Sequence, residues 1–222
     1  MPHQRAFPYL QSVYFALTTF IDHFSLFFPL SAIWAALFFI VHLVMWPLFL
    51  CTANWPLGVS FLGALYFLLT IGLLIIFQFQ LLTKALSLYT IKPISLEQII
   101  LSDPLVLVRF LIARLLFMLK VLIGLLLFIA PGLYLAAHYY FSGFFVLTRD
   151  INTITDDALR ATDLVAESEW QMLFVFLVHG SCFAFFFSPL GFYCANFFLF
   201  PVCALIEVHL YYTLKVSSQA PF

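Results

Sequence analysis

The sequence predicts an all-α integral membrane protein, with six transmembrane helices in three hairpins and an interfacial amphipathic helix before each hairpin. Three observations carry this. Of the 222 residues, 65% are hydrophobic and only 9% charged, where a soluble domain carries about 25% charged residues. That apolar content exceeds what one globular core could bury, so lipid must solvate most of the surface. The apolar runs are long enough to span a bilayer, about 20 residues each, and short turns or polar segments separate them. The charges are also segregated into alternate connections. Residues 1–222 therefore read as one membrane domain.

The net charge of −1 excludes a whole-chain electrostatic nucleic-acid binder. Met1-Pro2-His3-Gln4-Arg5 leads into a polar-interrupted segment, not the compact apolar run of a signal peptide. Cys51, Cys182, Cys194 and Cys203 lie in or beside apolar runs without CxxC spacing. They read as small packing side chains, with a Cys51–Cys194 disulfide as the alternative.

Taken in order, Phe7, Leu10, Val13, Tyr14, Leu17 and Phe20 recur at helical spacing with polar residues between them, predicting an amphipathic helix in the interface. Pro29 separates it from the first span, Leu30–Leu50, whose Trp34 and Trp46 suit interfacial depths. Asn54-Trp55-Pro56 is a turn, and Leu57–Leu82 is the second span. Gly58, Gly63 and Gly72 offer that span places for close helix approach, while Gln78 and Gln80 reach water or a neighbour. Ser95-Leu-Glu-Gln98 reads as a capping box opening a short surface helix over Leu96–Leu101. Asp103-Pro104 caps the third span, Leu105–Ile129.

Ala130-Pro131-Gly132 turns the chain into a short fourth span, Leu133–Thr148, and Arg149-Asp150 returns it to water. A second surface helix starts at Thr153, with Asp156 and Asp157 suiting the positive end of its dipole. Ile154, Ala158, Ala161 and Val165 form its apolar stripe; Asp156, Arg160, Asp163 and Glu167 form the opposite one. Trp170–Phe187 is the fifth span, Ser188-Pro189-Leu190-Gly191 a turn, and Phe192–Leu214 the sixth span. A weak likeness between Pro93–Leu101 and Thr153–Ala161 suggests an internal repeat; capping signals alone would also produce it.

The connections after spans one, three and five contain no Lys, Arg, Asp or Glu. Lys and Arg in short loops stay on the cytoplasmic side, so both termini are expected in the cytoplasm of a bacterial inner membrane.

Ala130–Trp170 resembles a bacterial polytopic membrane-protein family of largely uncharacterised members, which includes the membrane domain accompanying some glycerophosphodiester phosphodiesterases. Pro131-Gly132-Leu133-Tyr134, the aromatic run Tyr139-Tyr140-Phe141, Asp150, Ala158-Leu159 and Trp170 carry the resemblance. His138 stands where the family usually has a basic residue, and its surface helix is usually more basic than Asp156–Glu169. The resemblance implies a fold and a membrane, and brings no catalytic residue.

Charges inside spans are the sharpest functional lead, each costing roughly 2.5–3.5 kcal/mol at a helix centre. Arg109 lies near the cytoplasmic end of span three and snorkels. Arg114 and Glu207 lie about 15 and 12 Å from the cytoplasmic face by helical rise, so they are expected to pair. That pair is structural or belongs to a substrate, headgroup or proton site. Lys120 is deeper, facing a wet cavity unless span three starts later. With these, Arg114, Lys120 and Glu207 form the candidate intramembrane polar site.

His42, His138, His179 and His209 are spread over four spans, no HExxH, P-loop, GxGxxG or GxSxG occurs, and no cofactor or metal is expected. Membrane lipids are the expected partners. Residues 150–169 carry six acidic side chains against Arg160, which anionic lipid repels. Their acidic face, with Asp156, Asp157, Asp163 and Glu167, is expected to meet Lys84, Lys92 or Arg109, or a basic protein. The function expected is non-catalytic, as a scaffold, lipid-interacting or accessory factor. The alternatives are a small transporter or channel with Arg114, Lys120 and Glu207 along its pathway and, third, an intramembrane lipid enzyme.

Overall fold

The computed structural model describes residues 9–52, 54–89, 105–148, 154–166, 168–185, 191 and 194–219. It is all-helical, with no strand among the described residues. The helices are α1 (Tyr9–Asp22), α2 (Phe24–Thr52), α3 (Pro56–Tyr89), α4 (Leu105–Leu127), α5 (Ile129–His138), α6 (Phe144–Leu147), α7 (Ile154–Val165), α8 (Glu169–Phe185) and α9 (Phe200–Gln219). A π-helical turn, Ala195–Leu199, leads into α9. By length and composition, four segments can cross a bilayer: α2, α3, α4 and Ala195–Val216.

The first two helices follow from one another. The break falls at His23, not at Pro29, which lies inside α2. A proline ring clashes with the carbonyl four residues earlier, so Pro29 disturbs the turn at Ser25, just beyond the break. The face α1 buries is Ser12, Ala16 and Phe20, while Leu10 and Tyr14 are exposed. It packs antiparallel along α9 and the π-turn: Ser12 meets His209, and Phe20 meets Phe198. The amphipathic helix expected in the interface is thus a packed element.

α2 and α3 form an antiparallel hairpin turned at Asn54-Trp55. Trp34, expected at an interface, is buried and donates through Nε1 to Gln80 Oε1 at 2.7 Å. Further along, His42 Nδ1 meets the Phe38 carbonyl at 2.8 Å and Tyr66 Oη meets His42 Nε2 at 2.6 Å. This chain satisfies both side chains on a hairpin whose neighbouring positions expose Phe39, Ile40, Leu43, Phe67 and Leu68. Such a band is compatible with a membrane setting, where polar side chains must be satisfied internally. Gly63 and Gly72 have open space where a Cβ would stand, and Gly58 packs under Trp55, so no helix among the described residues approaches closely at any of the three.

Close approach happens instead between α4 and α5. Phe128 alone, in an extended conformation, joins them. A Cβ on Gly124 would lie 2.7 Å from the Gly132 Cα, and one on Gly132 would lie 2.6 Å from the Leu125 nitrogen. Only glycines let these two backbones meet at the tight turn.

The expected fourth span, Leu133–Thr148, is not one helix. α5 stops at His138, residues 139–143 make turns, and α6 is a separate four-residue helix. Gly143 takes a positive φ of 93°, a conformation that favours glycine. Residues 140–147 are all buried. The sequence run is apolar enough to span, but tertiary contacts fold its middle into the bundle. The capping box at Ser95, the helix at 96–101, the Asp103-Pro104 cap, Asp150 and the Ser188–Leu190 turn lie outside the described residues. Cys51, Cys194 and Cys203 are free thiols, so the Cys51–Cys194 disulfide is not formed.

Candidate functional site

Arg114 stands nine residues into α4, His179 ten into α8, Gln78 eleven before the end of α3 and Glu207 twelve before the end of α9. At 1.5 Å per residue these are depths of about 14 to 18 Å along four helices. The fold brings them together with Tyr140, from the turn after α5. Arg114 Nη2 lies 3.6 Å from Glu207 Oε2, with both side chains buried, and Arg114 Nη1 donates to the Tyr140 carbonyl at 3.1 Å. The Tyr140 hydroxyl donates to Glu207 Oε1 at 3.0 Å and also meets His179 Nδ1. Gln78 Nε2 approaches Glu207 Oε2 at 3.4 Å. The guanidinium also lies 5.5 and 5.8 Å from the Phe110 and Phe144 ring centroids.

These contacts are what make the charges tolerable. An isolated buried ion costs several kcal/mol to desolvate, and only a well-satisfied pair offsets this. Each oxygen of Glu207 faces at least one donor, whereas Arg114 is only partly satisfied: Nη1 bonds the Tyr140 carbonyl, Nη2 meets Glu207 as an ion pair at 3.6 Å, and neither Nη2 nor Nε has a hydrogen-bond partner.

Beside this cluster is a cavity of about 220 Å³ between α3, α4, α8 and α9. Its walls are apolar, from side chains such as Ile71, Leu74, Met118 and Ala204; Gln78, His179 and Glu207 form its polar end. The Nε2 of His179 is buried without a hydrogen-bond partner.

Of the three expected polar-site residues, the structure unites Arg114 and Glu207 and sends Lys120 elsewhere. The Lys120 ammonium lies 3.9 Å from the Tyr139 ring centroid, in a smaller cavity of about 100 Å³ with Ser142 and Ala158. Adjacent tyrosines in the turn thus serve the two places: Tyr139 faces Lys120 and Tyr140 faces Glu207. The motif residues do not converge on one site. Gly132 packs against α4, Ala158 lines the smaller cavity, and Pro131, Tyr134, Leu159 and Trp170 are exposed.

Asp157 corrects the expected acidic face. It is fully buried and accepts from the Gly143 amide at 2.6 Å, the Ser142 hydroxyl at 3.2 Å and the Val146 amide at 3.4 Å. These donors open α6, whose first amides have no partner within the helix. Asp157 therefore caps α6 from another element and is closed to any partner protein. Burial pushes its carboxyl above the ordinary value; the bonds from Gly143, Val146 and Ser142, and the Arg114 charge, pull the other way. Asp156 and Asp163 are exposed on the opposite side; the side chain of Glu167 and all of Lys92 lie outside the described residues.

The sequence reading names Gln78 as reaching water or a neighbour, Tyr140 in the aromatic run, His179 among the dispersed histidines and Asp157 on the acidic face, but assigns none of them to these sites, though two leave a signal there. His179 is at Arg114's depth when counted from the start of its own helix. Asp157 falls on the apolar stripe, three residues from Ile154 and four from Ala161, where a carboxylate must find donors. Among the described residues no three His, Cys, Asp or Glu side chains gather as metal ligands.

Fold and site together define an all-helical protein with four helices able to cross a bilayer and a buried polar cluster beside an apolar cavity. Comparison with protein-family models, curated proteins and solved structures finds no match.

Proposed function

We propose that this chain is a multi-pass membrane protein that holds an apolar or lipid-like molecule inside its helix bundle, without catalysing a reaction on it. The observation that carries this is the cavity of about 220 Å³, apolar along its walls and polar at one end, the design of small-molecule sites in general. Tyr140, Gln78 and Arg114 are tied to one carboxylate, Glu207, beside it, which favours binding over chemistry. The layout in the bilayer belongs to the same reading: six passes in three hairpins, the fourth a broken one, with both termini on the cytoplasmic side of a bacterial inner membrane. The charge-free connections support it. So does the resemblance of Ala130–Trp170 to the membrane domain found with glycerophosphodiester phosphodiesterases. Lipids are the main partners, and the exposed Asp163 is where a basic protein would meet this helix.

Native mass spectrometry of the protein released from nanodiscs tests the binding. The wild-type chain is expected to retain a bound apolar molecule, and Ala204→Trp or Ile71→Trp, which fill the cavity, to lose it. Equal retention in all three would sink the reading.

One observation favours transport as a second reading. The chain breaks at residues 139–143 and places Tyr140 in the polar cluster, and broken helices at polar sites are the architecture of many transporters. Transport predicts that Lys120→Met abolishes function with normal abundance in the membrane, whereas a binding role predicts little change.

A further inference from the structure

The protons of the buried cluster can be counted, and they determine what the cavity's polar end presents. Glu207, opposite the Arg114 guanidinium, is a carboxylate with acceptors only. The Tyr140 hydroxyl, 3.0 Å from Oε1, must therefore direct its single proton there. Its contact with His179 Nδ1 then needs the proton to sit on Nδ1. In a neutral imidazole this leaves Nε2 with a bare lone pair, and that atom is buried, without a partner, on a residue lining the cavity. The cavity end thus offers a bare acceptor at His179 Nε2 beside the second amide proton of Gln78, whose first goes to Glu207 Oε2, and an alcohol can use both.

Charge narrows the choice further. Arg114 and Glu207 cancel, so a charged headgroup would be desolvated without a counter-ion, at a cost of several kcal/mol. A neutral donor loses far less. The volume, about 220 Å³, exceeds the ~150 Å³ of a cavity that admits benzene, and the apolar walls suit one alkyl chain.

We infer that the cavity selects a single-chain apolar alcohol, whose hydroxyl donates to His179 Nε2 while its chain lies along α3 and α9. This rests on the binding reading proposed above and adds the class of headgroup. It predicts rejection of the corresponding carboxylate and of the ammonium, each of which brings an uncompensated charge.

Cys203, a free thiol lining the cavity, reports occupancy. In nanodiscs, with Cys51, Cys182 and Cys194 changed to Ser, its alkylation by N-ethylmaleimide is followed against 1-decanol, decanoate and decylamine. Concentrations are corrected for partition into the bilayer. The expected result is that 1-decanol slows labelling at about tenfold lower concentration than the other two. His179→Phe should erase that preference, and His179→Gln, which keeps an acceptor oxygen, should retain part of it. If none of the three amphiphiles slows labelling, the binding reading itself fails. If decanoate or decylamine protects as well as 1-decanol, binding stands and the headgroup assignment is overturned. A preference left unchanged by His179→Phe overturns the headgroup assignment as well. Should that variant not accumulate, the ranking in the His179 protein decides alone.

Discussion

Arg114 is tied to two elements at once, which sets what its removal does. Its Nη2 faces Glu207 and its Nη1 holds the Tyr140 carbonyl. Arg114→Ala leaves the carboxylate buried without its cation, and Glu207→Ala leaves the guanidinium without its anion; each is expected to cost about 3–5 kcal/mol. The double variant should recover about 1 kcal/mol or more of the summed loss, because an empty site is less harmful than half a pair. Recovery remains partial, since the double variant still leaves the Tyr140 carbonyl unpaired. Thermal unfolding in detergent measures the cycle, and strictly additive losses would show that the two charges do not interact. The pair was legible from depth counting. Its hydroxyl bridge to His179 was not, because Tyr140 comes from a segment that reads as an ordinary apolar span.

At the level of elements, α7 is fastened by one carboxylate. Asp157 gathers donors from the start of α6, so helix and turn dock together. Burial raises the folded-state pKa of Asp157 above its unfolded value of about 3.9. Between those two values the folded state binds the proton more tightly, so stability grows as pH falls through that window. Above the folded pKa the charged form carries a constant penalty. Asp157→Asn should remove this contribution to the pH profile and leave one acceptor for the Gly143 amide. Asp157→Ala should instead orphan that amide and cost about 1–3 kcal/mol. Limited proteolysis near residues 149–153 between pH 4 and 7 reads both. A profile unchanged by Asp157→Asn would mean that this carboxyl does not control the docking. The helix itself was visible in its stripes, whereas the burial of one acid among six needed the position of Gly143.

For the molecule as a whole, the apolar bands and the charge pattern predict one orientation. Cysteines introduced at Asn54 and Leu190 should react with an impermeant maleimide added to intact cells. A cysteine at Thr155 should react only after the inner face is opened. Labelling of Thr155 from outside would overturn the arrangement of both termini. The α2–α3 hairpin exposes much of its apolar surface beyond Trp34, so the same cells should show Trp46 shielded by lipid. A brominated phospholipid quenching its fluorescence in a chain with Trp34, Trp55 and Trp170 changed to Phe would register that contact.

The sequence by itself determined the class, because hydrophobic content, run length and the placement of charges depend on composition and spacing alone. It located α4 and α7 to within a few residues for the same reason, and the start of α3, whose end it placed seven residues early. It also singled out Arg114 and Glu207, since helical rise turns position into depth. Only the tertiary structure decided that residues 133–148 are interrupted by a turn instead of forming one continuous helix. A break becomes favourable where Asp157, from the next helix α7, supplies the acceptor that the opened amides of α6 lack. Only the tertiary structure, too, decided the cavity and its proton count, for these need a tyrosine, a histidine and a glutamate from three separate elements to share one hydrogen-bonded chain.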